Sequence, residues 1–296
     1  MNMTLKKLLS LSILLLLFIK SNAQDMLGSL DSASGEKDFV SATFKATRLV
    51  NQHTLETVGA RTLDFRISHR FGPVNLGSYE NWGLDGPANI RLGLEYSPTG
   101  RYMFGIGRTS DDKMFDGFFK YRLWKQTTDN SMPVSLTLFA SIFYTGLKDK
   151  NKESNGFDKY EFASSRYSYC YELMFGRKFT PSFSFQIAPF FVHYNLVDSI
   201  SDKNDVYGVA GLFRLKFTKR AAITAEYGLR INKYSATKYY DSMAIGYELE
   251  TGGHVFQIHF TNSSGIVENQ FFARTTTKWD NFGIRLGFNI SRVFTL

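Results

Sequence analysis

Charged side chains recur at every second or fourth position along much of this chain, and they are the first candidates for chemistry. Arg66 and Arg70 are spaced in this way, and so are Glu248 and Glu250. Residues two apart lie on the same face of an extended strand. A face that carries guanidinium groups among carboxylates can select ions, and arginine favours carboxylates and phosphates as partners. The candidate residues of this face are Arg66, Arg70, Arg91, Glu95, Asp116, Lys120, Arg122, Arg166, Arg214, Glu226, Arg230, Glu248, His259 and Arg285.

Nucleophilic catalysis is a second chemistry to consider, because histidines and serines share this face. Such catalysis needs a nucleophile within hydrogen-bond reach of a base. His193 and His259 are the candidate bases, but the sequence contains no Gly-x-Ser-x-Gly motif. His254 and His259 lack the spacing of helical metal ligands. We therefore expect no catalytic residue, no metal and no cofactor, and we keep a lipid-modifying enzyme as an alternative.

The charge balance and the single cysteine exclude further classes of protein. The formal net charge is +8 without a clustered basic patch, so nucleic acid is not an expected partner. Cys170 is the single cysteine, which rules out an intramolecular disulfide and a cysteine metal cluster. The fold must be stabilised in another way, and a closed ladder of strand hydrogen bonds would serve.

The elements that position the charged face are strands. From Asn281 to Leu296, apolar residues hold most even positions, and glycine or polar residues hold most odd ones. A helix repeats every ~3.6 residues, whereas a strand repeats every two. The same alternation recurs from Leu63 onwards, and long polar connectors alternate with short turns in the second half of the chain. We predict an all-β fold, a transmembrane antiparallel up-and-down β-barrel of about twelve strands, with fourteen as the alternative.

The aromatic content favours this barrel over a soluble β-sandwich. The 28 phenylalanines and 16 tyrosines suit lipid-facing strands and the aromatic girdles of a membrane interface. Because no second apolar set is evident to fill a soluble core, we expect the apolar face to contact lipid and the charged face to line the lumen. The segment Phe183–Tyr194 changes phase, which predicts a bulge at Ala188–Pro189 and an inward His193.

The N-terminal residues predict export. Lys6 and Lys7 precede an apolar run that ends at Ile19, and Ser21-Asn22-Ala23 has the pattern of a cleavage site. The run is too short for a membrane span, which needs about 20 apolar residues. We predict a signal peptide at residues 1–23, a periplasmic lead-in at 24–58 and an outer-membrane β-barrel at 59–296. Because barrels of this kind have an even number of strands, we place 39–58 outside the ladder, at the periplasmic mouth.

Several stretches of the chain also look familiar beyond their periodicity. They are Ala42–Lys45, Leu63–Gly72, Gly83–Gly86, Ile106–Arg108, Glu250–Gln257 and Phe288–Phe294. Together they resemble a family of membrane-bound β-barrel proteins of unknown function from Bacteroidota. The resemblance spans nearly the whole chain after the predicted signal peptide. It implies a barrel in the outer membrane, and it carries no substrate, reaction or site residue.

These predictions lead to a functional hypothesis with two alternatives. The leading hypothesis is a passive channel or uptake pore with a positively biased lumen for small anionic solutes. Its expected partners are outer-membrane lipid, a small anionic solute and a periplasmic protein. The first alternative is a closed structural barrel that anchors a periplasmic or surface partner, and the second is the lipid-modifying enzyme. Barrels of about eight strands are filled and those of about sixteen are open, so the strand number alone does not decide.

Overall fold

Twelve strands of the described residues close into one antiparallel barrel in a computed structural model of the protein. The structure describes residues 38–149, 158–199, 202–232 and 238–296. Each strand pairs with its neighbours in sequence, and the first pairs with the last. The strands are β1 (Thr62–Pro73), β2 (Asn89–Ser97), β3 (Tyr102–Thr109), β4 (Met114–Trp124), β5 (Ser135–Thr145), β6 (Tyr167–Lys178), β7 (Phe183–Tyr194), β8 (Asp205–Lys216), β9 (Ala221–Arg230), β10 (Ser242–Thr251), β11 (His254–Thr261) and β12 (Arg285–Thr295).

The alternation of the sequence becomes the two faces of the barrel wall. In β2, Arg91 and Glu95 are fully buried, whereas Leu92 and Leu94 are 48% and 43% exposed on the outer face. Exposed large apolar side chains continue around the barrel, which is the surface that lipid requires. The predicted all-β, antiparallel barrel of twelve strands is confirmed for the described part of the chain. No helix among those residues is long and apolar enough to cross a membrane.

The two ends of the barrel carry different connections. Thr62 of β1 pairs with Thr295 of β12, so the ladder starts and finishes at one end, which we call the terminal end. The opposite end, called the loop end, carries the connection that contains helix α1 (Glu268–Ala273). Short 3₁₀ helices also lie in loop-end connections, at Val74–Leu76, Ser78–Gly83, Asp111–Lys113 and Ala163–Arg166.

Strand β7 shows that the prediction of a bulge was wrong. The register of β7 against β8 runs without interruption from Phe183 to His193. Phe190 therefore faces the interior and is buried, whereas His193 lies on the outer face. The reason is that part of the interior is apolar, because Phe272 of α1 stacks on Phe190 with ring centroids 3.9 Å apart. An inward apolar set does exist, and it packs against α1.

Two segments outside the ladder fill the interior. One is α1, which enters from the loop end, and the other is the lumen hairpin, residues 43–56, which enters from the terminal end. We expected residues 39–58 at the mouth of the barrel, but most of residues 43–58 are buried within it. The reason is that the lumen wall supplies polar partners to the backbone of this segment. The signal peptide at 1–23 lies outside the described residues, and the domain boundaries stay predictions.

Candidate functional site in the barrel lumen

The lumen hairpin is a tight turn between two short arms. Arg48 and His53 form an isolated antiparallel bridge, and the Leu49 amide donates to the Gln52 carbonyl at 3.0 Å. Backbone groups that such a short turn leaves unpaired need other partners when they are buried. The barrel wall provides these partners at three places, one at the tip of the hairpin and two along its arms.

The tip of the hairpin is bound by Glu226 of β9. The amides of Val50, Asn51 and Gln52 donate to its carboxylate at 3.2, 2.9 and 3.1 Å. Successive backbone N–H groups that converge in this way form an anion-binding concavity. Arg70 of β1 complements them by donating to the Val50 carbonyl at 3.0 Å. The tip is therefore recognised through its backbone, by an anion on one side and a cation on the other.

Lys120 of β4 binds the two arms of the hairpin together. Its Nζ donates to the carbonyls of Thr47 and Thr54 at 2.9 Å each, and to the Glu56 carbonyl at 3.2 Å. An ammonium group has three hydrogens to donate, and this arrangement uses all of them on the hairpin. Lys120 is fully buried, so its charge is solvated by carbonyl dipoles of the hairpin in place of water.

Gln186 of β7 forms the backbone hydrogen bonds with the returning arm that a neighbouring strand would otherwise form. Its Oε1 accepts a hydrogen bond from the Leu55 amide at 2.7 Å, and its Nε2 donates to the His53 carbonyl at 3.0 Å. The Thr137 hydroxyl of β5 donates to the Leu55 carbonyl at 2.8 Å. Wall side chains thus replace the ladder partners that this arm lacks.

The hairpin and α1 meet in the middle of the lumen through an ion pair. Arg48 Nη1 lies 2.8 Å from Glu268 Oε1, and both side chains are almost completely buried. The ring of His53 lies against the same carboxylate, with Nε2 3.5 Å from Oε1. Breaking a buried ion pair by removing one partner is costly, because the other charge is left uncompensated. This pair therefore joins the segment from the terminal end to the segment from the loop end.

Helix α1 is itself anchored to the wall near the loop end. The Tyr194 hydroxyl donates to the Asn269 carbonyl at 2.6 Å, and Asn269 Nδ2 donates to the Ser168 hydroxyl at 2.8 Å. Phe272 packs beside Gly228, whose absent side chain leaves the room that the ring occupies.

Glycines on the inner face of the wall mark where the hairpin approaches most closely. A Cβ placed on Gly176 of β6 would clash with Leu55 Cδ2. A Cβ placed on Gly246 of β10 would lie 3.1 Å from Val50 Cγ2 and would crowd it. The inner face of the wall therefore fits the hairpin both through its polar side chains and through the glycines that leave room for it.

The predicted site residues fall into two groups. Arg166 and Arg285 are half-buried at the loop end, where Arg285 donates to the Phe71 carbonyl at 3.3 Å. The others are buried inside the barrel, and they are Arg66, Arg70, Arg91, Glu95, Asp116, Lys120, Arg122, Arg214, Glu226, Arg230, Glu248 and His259.

Several of the buried charges compensate one another on the wall. Arg91 pairs with Asp116 at 2.5 Å, and Arg214 pairs with Glu248 at 2.8 Å. Other charges are satisfied by the hairpin, as Lys120 and Glu226 are. The excess of cations expected from the sequence is therefore divided between wall pairs and the hairpin, and it is not displayed to an open lumen in this structure.

The candidate catalytic histidines lie in unlike surroundings. His259 is buried, and neither of its ring nitrogens has a hydrogen-bond partner among the described residues. His193 lies on the outer face, with Nδ1 2.6 Å from the Asp205 carboxylate. No group of histidine, cysteine and acidic side chains in the described part of the chain is arranged to hold a metal.

A cavity opens at each end of the filled lumen. The cavity at the loop end has a volume of about 260 Å³ and is lined by Lys159, Arg166, Asp198 and Arg274, among others. Burial raises the pKa of Asp198, but the Lys159 hydrogen bond and the Arg274 and Lys159 charges outweigh it, so this pKa lies below its ordinary value. The cavity at the terminal end, of about 460 Å³, is lined by Arg101, Arg122 and Lys125.

The hairpin was not predicted from the sequence to be part of the site. Lys120 was predicted to line the lumen, whereas Arg48 and Glu268 were not singled out, although all three lie within one network in the structure. A signal was available, because Gly176 and Gly246 fall on the inward parity of their strands, where a lumen wall would otherwise carry polar side chains. Inward glycines indicate that another chain segment approaches the wall closely.

Comparisons with known proteins give one family and no close relative. The family model described as "Membrane bound beta barrel domain (DUF5777)" matches residues 44–294. This match confirms the predicted family of membrane-bound β-barrels, whereas the Bacteroidota lineage stays a prediction. No curated protein matches the sequence.

Solved barrels are similar in outline only. A NanC porin aligns with a TM-score of 0.49 at 10% identity, covering 79% of this chain and 99% of the porin. A KdgM porin aligns with a TM-score of 0.45 at 12% identity, covering 79% and 99%. The outer membrane phospholipase A from Escherichia coli aligns with a TM-score of 0.42 at 10% identity, covering 78% and 92%. None of these similarities transfers a substrate or an activity to this chain.

Proposed function

The chain belongs to the DUF5777 family of membrane-bound β-barrel domains, and from this premise we propose that it is an outer-membrane pore held shut by its own lumen hairpin. The observation that carries the proposal is the way in which the hairpin is bound. Lys120, Gln186 and Glu226 hold its backbone by hydrogen bonds from three sides of the wall. We place the terminal end in the periplasm and the loop end at the cell surface, because outer-membrane barrels have short periplasmic turns and longer extracellular loops.

The topology of the hairpin permits withdrawal. Both of its ends lead to the terminal end, where the Val40 amide donates to the Gln126 carbonyl at 2.9 Å and the Thr57 hydroxyl donates to the Gly100 carbonyl. A segment that enters and leaves by one mouth can slide out without threading a chain terminus through the barrel. Residues that precede it therefore offer a periplasmic partner a point of attachment.

The chemistry of the contact also suits a removable segment. Many contacts of the hairpin with the wall are hydrogen bonds, and each is worth only about 0.5–1.5 kcal/mol net because water can replace the partner. Flooding the lumen with water would satisfy the same groups. Phe44, Leu49 and Leu55 add apolar contacts that withdrawal would also break.

Withdrawal of the hairpin defines the class of solute. It would uncover Arg70, Lys120 and Arg122, whose hydrogen-bond or ionic partners include hairpin groups. It would also uncover the acids Glu95, Glu226 and Glu268, which are bound by Thr47, by the amides of the tip and by Arg48. The wall pair of Arg91 with Asp116 would stay compensated. The opened lumen would therefore expose charges of both signs, and we propose small anionic solutes as its cargo because the freed guanidinium groups of Arg70 and Arg122 match carboxylates and phosphates.

Planar-bilayer conductance of the purified chain tests this function. We expect the unaltered protein to be closed most of the time and Lys120→Met to raise the open fraction roughly tenfold or more, because at least about 1.4 kcal/mol of charge-assisted bonding to the hairpin is lost. Openings should prefer chloride over potassium. Lys216→Met is the matched control, since Lys216 ends β8 and has no hairpin contact among the described residues.

The outcome separates the pore from its alternative. If neither variant conducts while both keep the barrel fold, the pore proposal is wrong, and a closed barrel that anchors a partner takes its place. If the unaltered protein conducts continuously, the hairpin does not close the lumen.

A further inference from the structure

Three arginines at the terminal end lie over aromatic rings. The guanidinium carbon of Arg101 is 5.2 Å from the centroid of the Tyr121 ring. That of Arg177 is 5.4 Å from the Phe179 ring. That of Arg292 is 4.9 Å from the Phe294 ring. The three pairs lie on β3–β4, β6 and β12, so they are spread around the circumference of the barrel.

The aromatic partners belong to the lipid-facing surface. Tyr121 stacks on Tyr102 with ring centroids 4.8 Å apart, and Phe179 stacks on Phe183 at 5.7 Å. Phe294 is 39% exposed on the outer face. Aromatic rings in this position mark the boundary between hydrocarbon and headgroups. Each arginine therefore sits where the acyl chains of a lipid end and its phosphate begins.

These guanidinium groups are not neutralised by the protein. Among the described residues, Arg101, Arg177 and Arg292 form no salt bridge. Arg101 Nε donates to the Arg122 carbonyl at 3.1 Å, and Arg177 Nη2 donates to Asn130 Oδ1 at 3.1 Å. The ring contact positions each group and leaves further N–H donors free for an anion. Arginine matches the geometry of a phosphate with paired donors.

We propose that Arg101, Arg177 and Arg292 form a belt that binds the phosphate headgroups of anionic phospholipids in the leaflet at the terminal end. The aromatic ring orients each guanidinium, and the lipid phosphate supplies the missing negative charge. An acidic polypeptide is the competing partner of the same charge. It is disfavoured because each arginine lies against a ring of the apolar perimeter, whereas a protein in the periplasm would meet the mouth, where of the three only Arg101 also lines the terminal cavity.

Native mass spectrometry of the full chain, released from nanodiscs of phosphatidylethanolamine with one part in four of phosphatidylglycerol, tests this belt. We expect the released protein to retain phosphatidylglycerol in excess of its share. Arg101→Gln with Arg177→Gln and Arg292→Gln should lower that retention roughly tenfold. The matched control is Arg61→Gln with Lys219→Gln and Arg220→Gln, which removes equal charge from the same end but from residues without a stacked ring. The control should retain lipid as the unaltered protein does.

Three results would overturn the proposal. One is equal loss of lipid in both triple variants, which would make the effect one of net charge. Another is the absence of a preference for phosphatidylglycerol in the unaltered protein. The third is displacement of the lipid by millimolar inorganic phosphate or by poly-glutamate with the same dependence on the three arginines, which would identify a free anion or an acidic polypeptide as the ligand. The barrel fold of each variant is checked by its resistance to unfolding in detergent before lipids are counted.

Discussion

At the scale of single residues, the glycines of the inner wall report on function as directly as the charged side chains do. Gly176 and Leu55 are in such close contact that no side chain fits between them. A residue without a Cβ at this position lowers the stability of a strand and gains nothing unless another group needs the space. The space is needed by the hairpin, so these glycines are evidence that the filled lumen is the form to which the sequence is adapted.

Gly176→Val is expected to loosen the hairpin without disrupting the barrel. The new side chain would displace Leu55 and the amide that it presents to Gln186. Hydrogen exchange of residues 43–58 should accelerate at least about tenfold, since local opening free energy sets the exchange rate. Gly211→Val in β8 is the control, because a Cβ there would meet only Phe185, at 3.9 Å. Equal protection of the hairpin in both variants would contradict this account of the glycines.

The sequence predicted the inward direction of most charged residues, since parity within a strand fixes the face. Arg66, Asp116 and Glu248 illustrate this, for each is buried where alternation placed it. It did not predict their partners. Lys120 is satisfied by carbonyls of a segment more than sixty residues away, and a main-chain acceptor has no sequence signature.

At the scale of elements, the lumen contains two insertions of different character that contact each other through one ion pair. The hairpin is held by hydrogen bonds from the wall and by apolar packing of Phe44 and Leu55, whereas α1 is held by ring stacking and by the Tyr194 hydroxyl. The Arg48–Glu268 pair is the link between them. Opening of the hairpin must therefore break this link, and the conformation of the loop-end connection is expected to influence closure.

A double-mutant cycle on Arg48→Met and Glu268→Gln measures the link. Arg48→Met leaves the buried Glu268 carboxylate without its arginine and should lower the free energy of hairpin opening by roughly 3 kcal/mol. Glu268→Gln should lower it by less, because Arg48 Nε keeps the Glu95 carboxylate at 3.7 Å. The double variant should cost less than the sum by at least about 1 kcal/mol, because the charges interact directly. Hydrogen exchange of residues 43–58 gives all three values. Additive effects would mean that the two insertions are energetically independent.

The strands were predictable from the sequence and the insertions were not, for a physical reason. A strand of the wall alternates because lipid lies on one side and polar lumen on the other. A segment inside the lumen meets polar and apolar walls at once, so it has no such period. For the same reason the pattern in β7 wrongly predicted a bulge, since Phe190 faces inward to contact α1 rather than outward to contact lipid.

At the scale of the whole molecule, the barrel combines a lipid-facing exterior with an interior closed by its own chain. The lipid-facing exterior was predictable from composition and alternation, and the strand number was predictable by counting the alternating segments. Closure of the lumen was not predictable from the sequence, because a barrel of this size lies between the filled and the open classes. The proposed function requires that the hairpin closes the lumen and that it can withdraw from it.

A reversible cross-link between hairpin and wall tests this claim most directly. Leu55→Cys and Gly176→Cys place two thiols at the closest contact of the hairpin with the wall, in a chain that also carries Cys170→Ala to remove the native thiol and Lys120→Met to favour opening. In a planar bilayer we predict no openings while the disulfide is formed and recurrent anion-selective openings after a reductant is added. Equal conductance before and after reduction, whether high or absent, would contradict the claim that this hairpin closes the barrel.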